Sequence, residues 1–327
     1  MATISLAEIE RVVQAALERH GAAGFAAAEV ARAVARAEAF GNRICGLYYL
    51  ESYCKQLQSG RVKGDVTPDV ATPRAGTVLV DARFGFAQPA FAYGLAPAVD
   101  AARTLGVASL AIAHAHTCTS LGYFTEMIAQ EGLIALGFTN ASPIVAAPGG
   151  KTRVIGTNPI AFSVPDGAGG LALHMDQSTS AVALGKITMA KAAGEAIPLG
   201  WAVDADGNPT TDPEAALGGA LVSSGGHKGW GFGLMAEILA AALTGSVLSH
   251  MVNPLKAPDG PPHDLGQYYL LIDPSASDGF DARVADLASA VAKDEGARLP
   301  GQGRQAADPA SLDPVAWAQA LELAGEA

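Results

Sequence analysis

The sequence predicts an α/β fold with a helical N-terminal part, on three observations. Apolar residues recur at helical spacing through roughly the first 70 positions. From residue 77 onward, short apolar and β-branched runs alternate with helical stretches. Polar side chains gather at the ends of those runs, as they do at the sites of α/β proteins.

Ser5 caps a first helix, with Glu8 three places on as capping-box partner. Leu6, Ile9, Val12, Val13 and Ala16 form its apolar stripe, and Gly21 and Gly24 end it. Residues 27–40 and 47–57 read as two more helices, and 60–65 as a loop. Between those helices, the glycines of Gly41-Asn42-Arg43-Ile44-Cys45-Gly46 allow a tight turn. Tyr49 and Tyr53, four apart, share a helix face that either lines a pocket or packs inside.

A strand over 77–81 follows, and Pro89 suits the first turn of a helix reaching 105. Residues 108–113 form a buried strand ending in His114-Ala115-His116; a helix then covers 122–130 and a strand 133–138. Two further strands span 160–164 and 171–175. A turn-rich excursion over 200–213 leads to a short helix opening at Pro213, capped by Thr211 or Asp212. Helix 230–243 carries small residues that suit burial against another helix; strand 268–273 and helix 280–293 come after it. The expected organisation is a helical part over 1–75, an α/β region over 76–305 and a polar tail over 306–327 with a short helix at 314–323.

Half of the 327 residues are hydrophobic and 16% are charged, so the chain can bury a large core. A net charge of −11 with no basic stripe argues against nucleic acid as a partner. Cys45, Cys54 and Cys118 lack CxxC spacing, so neither a disulfide framework nor a metal site is expected. The first residues are acidic, without an apolar signal core, and no uninterrupted run of about 18 apolar residues could span a membrane. A cytoplasmic protein is expected.

Chemistry concentrates between residues 154 and 186. The turn Gly156-Thr157-Asn158-Pro159 precedes one apolar run, and a second delivers Asp176, Gln177, Ser178, Thr179 and Ser180, with Gly185-Lys186 beyond. Free backbone N–H groups and a lysine suit an anion, either a cofactor phosphate or a substrate carboxylate. The alternative is an ordinary hairpin. No GxGxxG occurs, which excludes the usual dinucleotide fingerprint. His114, His116, His174, His227 and His250 are the candidate proton sources. His227-Lys228, between Gly226 and Gly229, either meets an anion or caps a solvent end. Cys45, without an adjacent histidine, is a weak nucleophile candidate.

Together the turn at 156–159, the segment 176–180 with Gly185-Lys186, and Gly200-Trp201 through Asp212-Pro213 carry a resemblance. Gly225 to Gly229, Leu265-Gly266-Gln267 and Leu299-Pro300-Gly301 add to it. The chain resembles the malate/L-lactate dehydrogenase family of sulfolactate dehydrogenase-like oxidoreductases, over about residues 5–305. The resemblance implies a non-Rossmann α/β cofactor fold, a homodimer, and NADPH as cofactor with NADH as the alternative. Carried over by motif, cofactor contacts fall on Thr117, Ser120, Thr157, Asn158, Pro159, Asp176, Ser178, Thr179, Ser180, Lys186, His227, Lys228 and Gly229. Phe84 to Pro89, His116 with Leu121, and Asp204 through Pro213 look like the branch that reduces Δ1-pyrroline-2-carboxylate or Δ1-piperideine-2-carboxylate to the L-amino acid.

The chain departs from the family pattern where serine-histidine-glycine and then an arginine are usual. It has Ile44-Cys45-Gly46, then Tyr49. His116 is followed by Thr117 where many relatives carry histidine. His116 is therefore the first candidate for a relocated acid or substrate-polarising group, with Cys45 and Tyr49 beside it as catalytic candidates. Three readings follow: a reductase of a carboxylate-bearing cyclic ketimine, a 2-hydroxy-acid dehydrogenase acting on an oxo-acid couple, and a nucleotide-binding homologue without turnover.

Overall fold

The computed structural model describes residues 2–326. Helices Leu6–Arg19, Gly24–Ala39 and Leu50–Ser59 form the N-terminal part. Ser5 accepts a hydrogen bond from the Glu8 amide at 3.3 Å. The capping box stays half-formed, because the Glu8 carboxylate turns to Arg11 at 2.8 Å. Gly21 makes the turn at φ +108°, whereas Gly24 opens the second helix and does not end the first. The third helix starts later than its spacing suggested; tight 3₁₀ turns occupy Arg43–Cys45 and Leu47–Tyr49 ahead of it.

The segment expected to be a polar tail is built into this part. Strand Ala310–Leu312 pairs antiparallel with Ala2–Ile4, and helix Pro314–Ala324 buries Trp317 and Ala320 against Ile9, Val13 and Leu17. Its polarity is one-sided: the buried contacts fall on a few positions, and the rest of its surface faces water.

A seven-stranded sheet forms the centre. Its order is Asp69–Arg74, Thr77–Asp81, Val107–Ala115, Leu265–Ile272, Ile134–Thr139, Ile160–Pro165 and Leu171–Gln177. Within this sheet, among the described residues, only Thr77–Asp81 and Val107–Ala115 pair in parallel, joined by helix Ala87–Leu105. Leu265–Ile272 inserts between Val107–Ala115 and Ile134–Thr139, antiparallel to both. Helices Ala87–Leu105 and Leu121–Gln130 cover one face, where the rings of Phe91, Phe124 and Tyr269 cluster and Phe91 meets Tyr269 edge to face. Helix His227–Glu237 and its wider π continuation Ile238–Ala242 cover part of the other, where Ala236 and Ala240 meet Phe138.

A second sheet runs Pro209–Thr210, Ala202–Val203, Ala220–Leu221, Val145–Ala146, Arg153–Ile155. Most of its strands have two residues, too short to show alternation, which is why sequence periodicity missed them. Helix Leu184–Ala193 was missed because it buries only Ile187, and strand Asp69–Arg74 because both of its faces are exposed. No helix among the described residues is long and apolar enough to cross a membrane.

Candidate active site

The strand Val107–Ala115 delivers two histidines to different surroundings. His114, at φ +52°, swings its Nδ1 to Asp264 at 2.8 Å. His116 is buried at 1% exposure and lies parallel to His263, with ring centroids 3.8 Å apart. Tyr53 and Phe86 meet its ring edge to face.

The protonation of His116 follows from its neighbours. The Gln56 amide nitrogen donates to the carbonyls of Leu255 at 2.7 Å and Ala257 at 2.8 Å. Its oxygen is thereby turned to His116 Nε2, 3.0 Å away, so that nitrogen carries the proton. His116 Nδ1 is left buried without a partner. His263 is ordered the same way, with Nε2 donating to the Leu255 carbonyl at 3.1 Å and Nδ1 facing the Thr117 amide at 3.4 Å. Burial, then His263 and Arg61, hold His116 well below the usual histidine range. Burial and Arg61 push His263 down to about 3. Near neutral pH both rings are uncharged, so His116 does not fit the acid role expected of it; it can polarise a ligand by accepting a hydrogen bond.

Cys45 and Tyr49 sit beside this group. Burial, reinforced by the Asp176 charge, pushes the Cys45 thiol up to about 12. Tyr49 is raised to about 12 by burial and by Tyr48 and Cys45. Cys118 is likewise raised to about 12, by burial and then by Cys45 and Asp176. These groups keep their protons at neutral pH and are poor acids there. Tyr49 stacks on Tyr53 at 6.0 Å, and Lys256 places its ammonium 3.4 Å from the Tyr48 ring.

Asp176 does not stand free. It accepts from Ser120 Oγ at 2.7 Å and from the Gly122 amide at 2.8 Å, capping helix Leu121–Gln130. Ser120 is engaged in the same cap. Thr179 is tied to Thr157 through its amide at 2.9 Å and its hydroxyl at 3.0 Å. Asn158 is fully buried at φ +36°, and its amide nitrogen donates to Glu237 at 2.7 Å and to the Gly233 carbonyl at 3.1 Å. Its side chain shapes the turn before Pro159 and is not presented to a ligand. Ser180 Oγ donates to the Val182 carbonyl, and Ser178 Oγ reaches the Ser180 carbonyl.

The structure does bring these segments to one place. Ser180 bridges Ser223, and the Ser224 amide donates to the Thr179 carbonyl. Beyond Ser224, Gly225 and Gly226 both have positive φ and lead into helix His227–Glu237, which has no side-chain cap. His227 and Lys228 are exposed there, while Gly229 is buried against the Ser224 backbone, where a Cβ would meet the Ser224 carbonyl oxygen at 2.1 Å. Ser223 Oγ is buried and unpartnered. Open amide N–H groups, a lysine and an unsatisfied hydroxyl fit the pyrophosphate of a dinucleotide. Lys186 stands exposed at the start of helix Leu184–Ala193.

A cleft of about 290 Å³ lies next to Asp176, lined by Asn42, Ser120, His174, Gln177 and Arg304. Arg304 lies over the Phe40 ring at 3.7 Å. Arg36 pairs with Glu126 nearby. Sequence reading missed Arg304, although it stands three places after the Leu299-Pro300-Gly301 motif. It also missed Gln56, Arg61 and His263. Arg61 and His263 lie in loops without periodicity, and Gln56 reads as an ordinary helix residue.

The sequence matches the family model described as malate/L-lactate dehydrogenase over residues 4–313. It is 43% identical to the (2R)-3-sulfolactate dehydrogenase (NADP(+)) of Chromohalobacter salexigens, covering 93% of this chain and 91% of that one. Identity is 39% with a Δ1-pyrroline-2-carboxylate/Δ1-piperideine-2-carboxylate reductase of Pseudomonas putida, over 92% and 89% of the two chains. Among solved structures, the Δ1-piperideine-2-carboxylate reductase of Pseudomonas syringae pv. tomato superposes with a TM-score of 0.91 at 34% identity, covering 99% of this chain and all of that one.

Proposed function

Because this chain belongs to the malate/L-lactate dehydrogenase family, we propose that it reduces a cyclic ketimine carboxylate, of the pyrroline- or piperideine-2-carboxylate type, with NADPH in preference to NADH. Membership of the family makes the chain an NAD(P)-dependent oxidoreductase for small carboxylate substrates. One observation favours the imine: the site is built from groups that do not exchange protons near neutral pH. By the resemblance, Cys45 stands where the family pattern has its histidine, and His116 is neutral with its Nδ1 unpartnered.

The bound nicotinamide supplies hydride to the substrate carbon. Reducing a ketone requires a proton for the forming alkoxide as well, and a positioned acid normally provides it. A ketimine protonated in solution arrives with its proton and its electrophilicity in place. The chain then has to orient the planar substrate, exclude water and stabilise the N–H cation. The neutral His116 face and the Tyr49–Tyr53 stack suit that task. The turn at 225–229 and Lys228 would hold the dinucleotide phosphates, and Thr157 with Ser178 to Ser180 would line its path.

The test follows NADPH and NADH oxidation with pyrroline-2-carboxylate, piperideine-2-carboxylate, pyruvate, oxaloacetate and 3-sulfopyruvate. The expected kcat/KM with an imine exceeds that with any oxo-acid by about 100-fold or more. Turnover confined to the oxo-acids sinks the proposal. The 43% identity to a sulfolactate dehydrogenase favours 3-sulfopyruvate as the second reading, which the same panel separates.

The pH profile provides a further check. Groups lowered below the histidine range are deprotonated, and those raised to about 12 are protonated, throughout pH 6–9. With the substrate's own ionisation accounted for, kcat is expected to be flat there. A separate prediction concerns the cofactor: Lys228→Ala raises the NADPH Kd about 10-fold at low ionic strength, and the effect shrinks as salt screens the phosphates. Titration of NADPH fluorescence at two salt concentrations measures both.

Homodimer formation is part of the proposal. Phe232, Met235, Ile238 and Leu243 are 56%, 37%, 58% and 57% exposed on and just beyond helix His227–Glu237. An apolar face of that kind suits a second copy of the chain.

A further inference from the structure

We propose that Gln56 acts as a positioning residue that fixes His116 as a hydrogen-bond acceptor, so that the bare Nδ1 lone pair receives the N–H of the protonated imine. The inference rests on the ketimine reading and adds the atom that recognises the substrate nitrogen.

The geometry leaves little choice of tautomer. An amide can present its oxygen to His116 only if its nitrogen faces elsewhere, and two carbonyls claim that nitrogen. Those carbonyls, of Leu255 and Ala257, are held in turn: His263 Nε2 donates to Leu255, and Arg61 donates to Ala257 and, at 2.9 Å, to Pro261. The segment around residues 255–263 is thus clamped onto the His116 ring by hydrogen bonds and by the His263 stack. Protonating Nδ1 as well would place a cation against neutral His263 and close to the Arg61 guanidinium. The other titratable group facing the ring is Tyr53, whose phenol burial holds in its protonated form.

Nδ1 is therefore a buried acceptor with no donor among the described residues. Buried acceptors of that kind are rarely left unpaired in a folded protein. The Tyr53 hydroxyl, packed edge to face against the same ring, is buried and unpartnered too. A planar ligand carrying an N–H donor satisfies the imidazole. In the reaction, hydride adds to the imine carbon and the C=N π pair moves to nitrogen. The N–H bond to His116 is retained as the cation becomes a neutral amine.

The test uses the full-length protein labelled with ¹⁵N-histidine, with ring nitrogens assigned by NMR through a His116→Asn control. The expected spectrum shows His116 protonated at Nε2 and bare at Nδ1 throughout pH 6–8.5. Adding oxidised NADP with pyrrole-2-carboxylate, an aromatic N–H analogue of the imine, should shift the Nδ1 resonance as it gains a hydrogen bond. A protonated Nδ1 in the free protein overturns the proposal, and so does an Nδ1 resonance unmoved at saturating analogue.

Two variants read the same point in turnover. Gln56→Met removes the lock, and the imine KM should rise about 10-fold with the NADPH Kd unchanged. Gln56→Glu favours the imidazolium, which has no acceptor, so imine turnover should fall as pH is lowered where the wild-type profile is flat. Parallel losses of cofactor binding and melting temperature in both variants, with flat pH profiles, would make Gln56 merely structural and overturn the assignment. Wild-type protein that turns over no imine sinks the reductase reading, whereas the spectrum judges the acceptor whatever the substrate.

Discussion

Gly266→Ala lowers the melting temperature by on the order of 5–10 °C and costs about 4 kcal/mol or more. Strand Leu265–Ile272 runs directly under the π turn Ile238–Ala242. A Cβ at residue 266 would lie 1.6 Å from the Ala240 carbonyl oxygen and 2.5 Å from Thr244 Oγ1. No rotamer relieves a Cβ, so the helix has to lift off the sheet. The same helix segment carries Glu237 just before the π turn, so cofactor binding should weaken with stability. Differential scanning calorimetry with and without NADPH measures both; a melting temperature within 1 °C of wild type, a margin far below the expected shift, would show that the two elements do not meet as described.

Glu237→Ala is expected to weaken NADPH binding about 10- to 100-fold and to destabilise the protein by about 2–4 kcal/mol. The carboxylate accepts from Asn158 at 2.7 Å, from the Ser249 amide at 2.6 Å and from Ser249 Oγ at 2.5 Å. Removing it strips the Ser249 amide of its acceptor and leaves Asn158 and Ser249 Oγ only their longer contacts, to the Gly233 carbonyl at 3.1 Å and to Asn158 Oδ1 at 3.4 Å. The Asn158 backbone sits in a left-handed conformation that few residues adopt unaided, so the turn relaxes when its anchor goes. Glu237→Gln keeps part of the network and should fall between alanine and wild type. Equilibrium titration of NADPH beside urea unfolding separates affinity from stability; an unchanged Kd in the alanine variant would detach the Thr157 to Pro159 turn from the cofactor.

Much of the fold was legible because helix and strand types are written in local spacing. Strand Thr77–Asp81 was predicted at its observed limits, and helix Leu121–Gln130 to within one residue. The family was legible because several short glycine-, proline- and asparagine-bearing turns occur in one order. The C-terminal segment shows the opposite case. Its few large apolar residues, such as Leu312 and Trp317, are scattered among polar and small ones, and nothing local announces that Ala310–Leu312 returns to pair with Ala2–Ile4.

The site divides in the same way. Segments 156–159, 176–180 and 225–229 could be singled out as turns with exposed amides, and tertiary structure joins them through the Thr157–Thr179 and Ser180–Ser223 contacts. Which of their side chains remain free could not be read from the motif. Asn158 and Asp176 look like ligand contacts in sequence, yet one is consumed by Glu237 and the other by a helix cap.

Residue order alone established the α/β class, the helical N-terminal part and the family, since periodicity and turn chemistry act between near neighbours. It also carries Cys45 and Tyr49 at the positions where the resemblance leads one to expect a histidine and an arginine. Only the tertiary structure decided that strand Leu265–Ile272 divides the sheet and that the turn before it carries His263 onto His116. Only there does Gln56, 60 positions away from His116, meet it and set where its proton lies. Protonation of a buried ring depends on desolvation and on hydrogen-bond partners distant in the chain, and neither has a local signature.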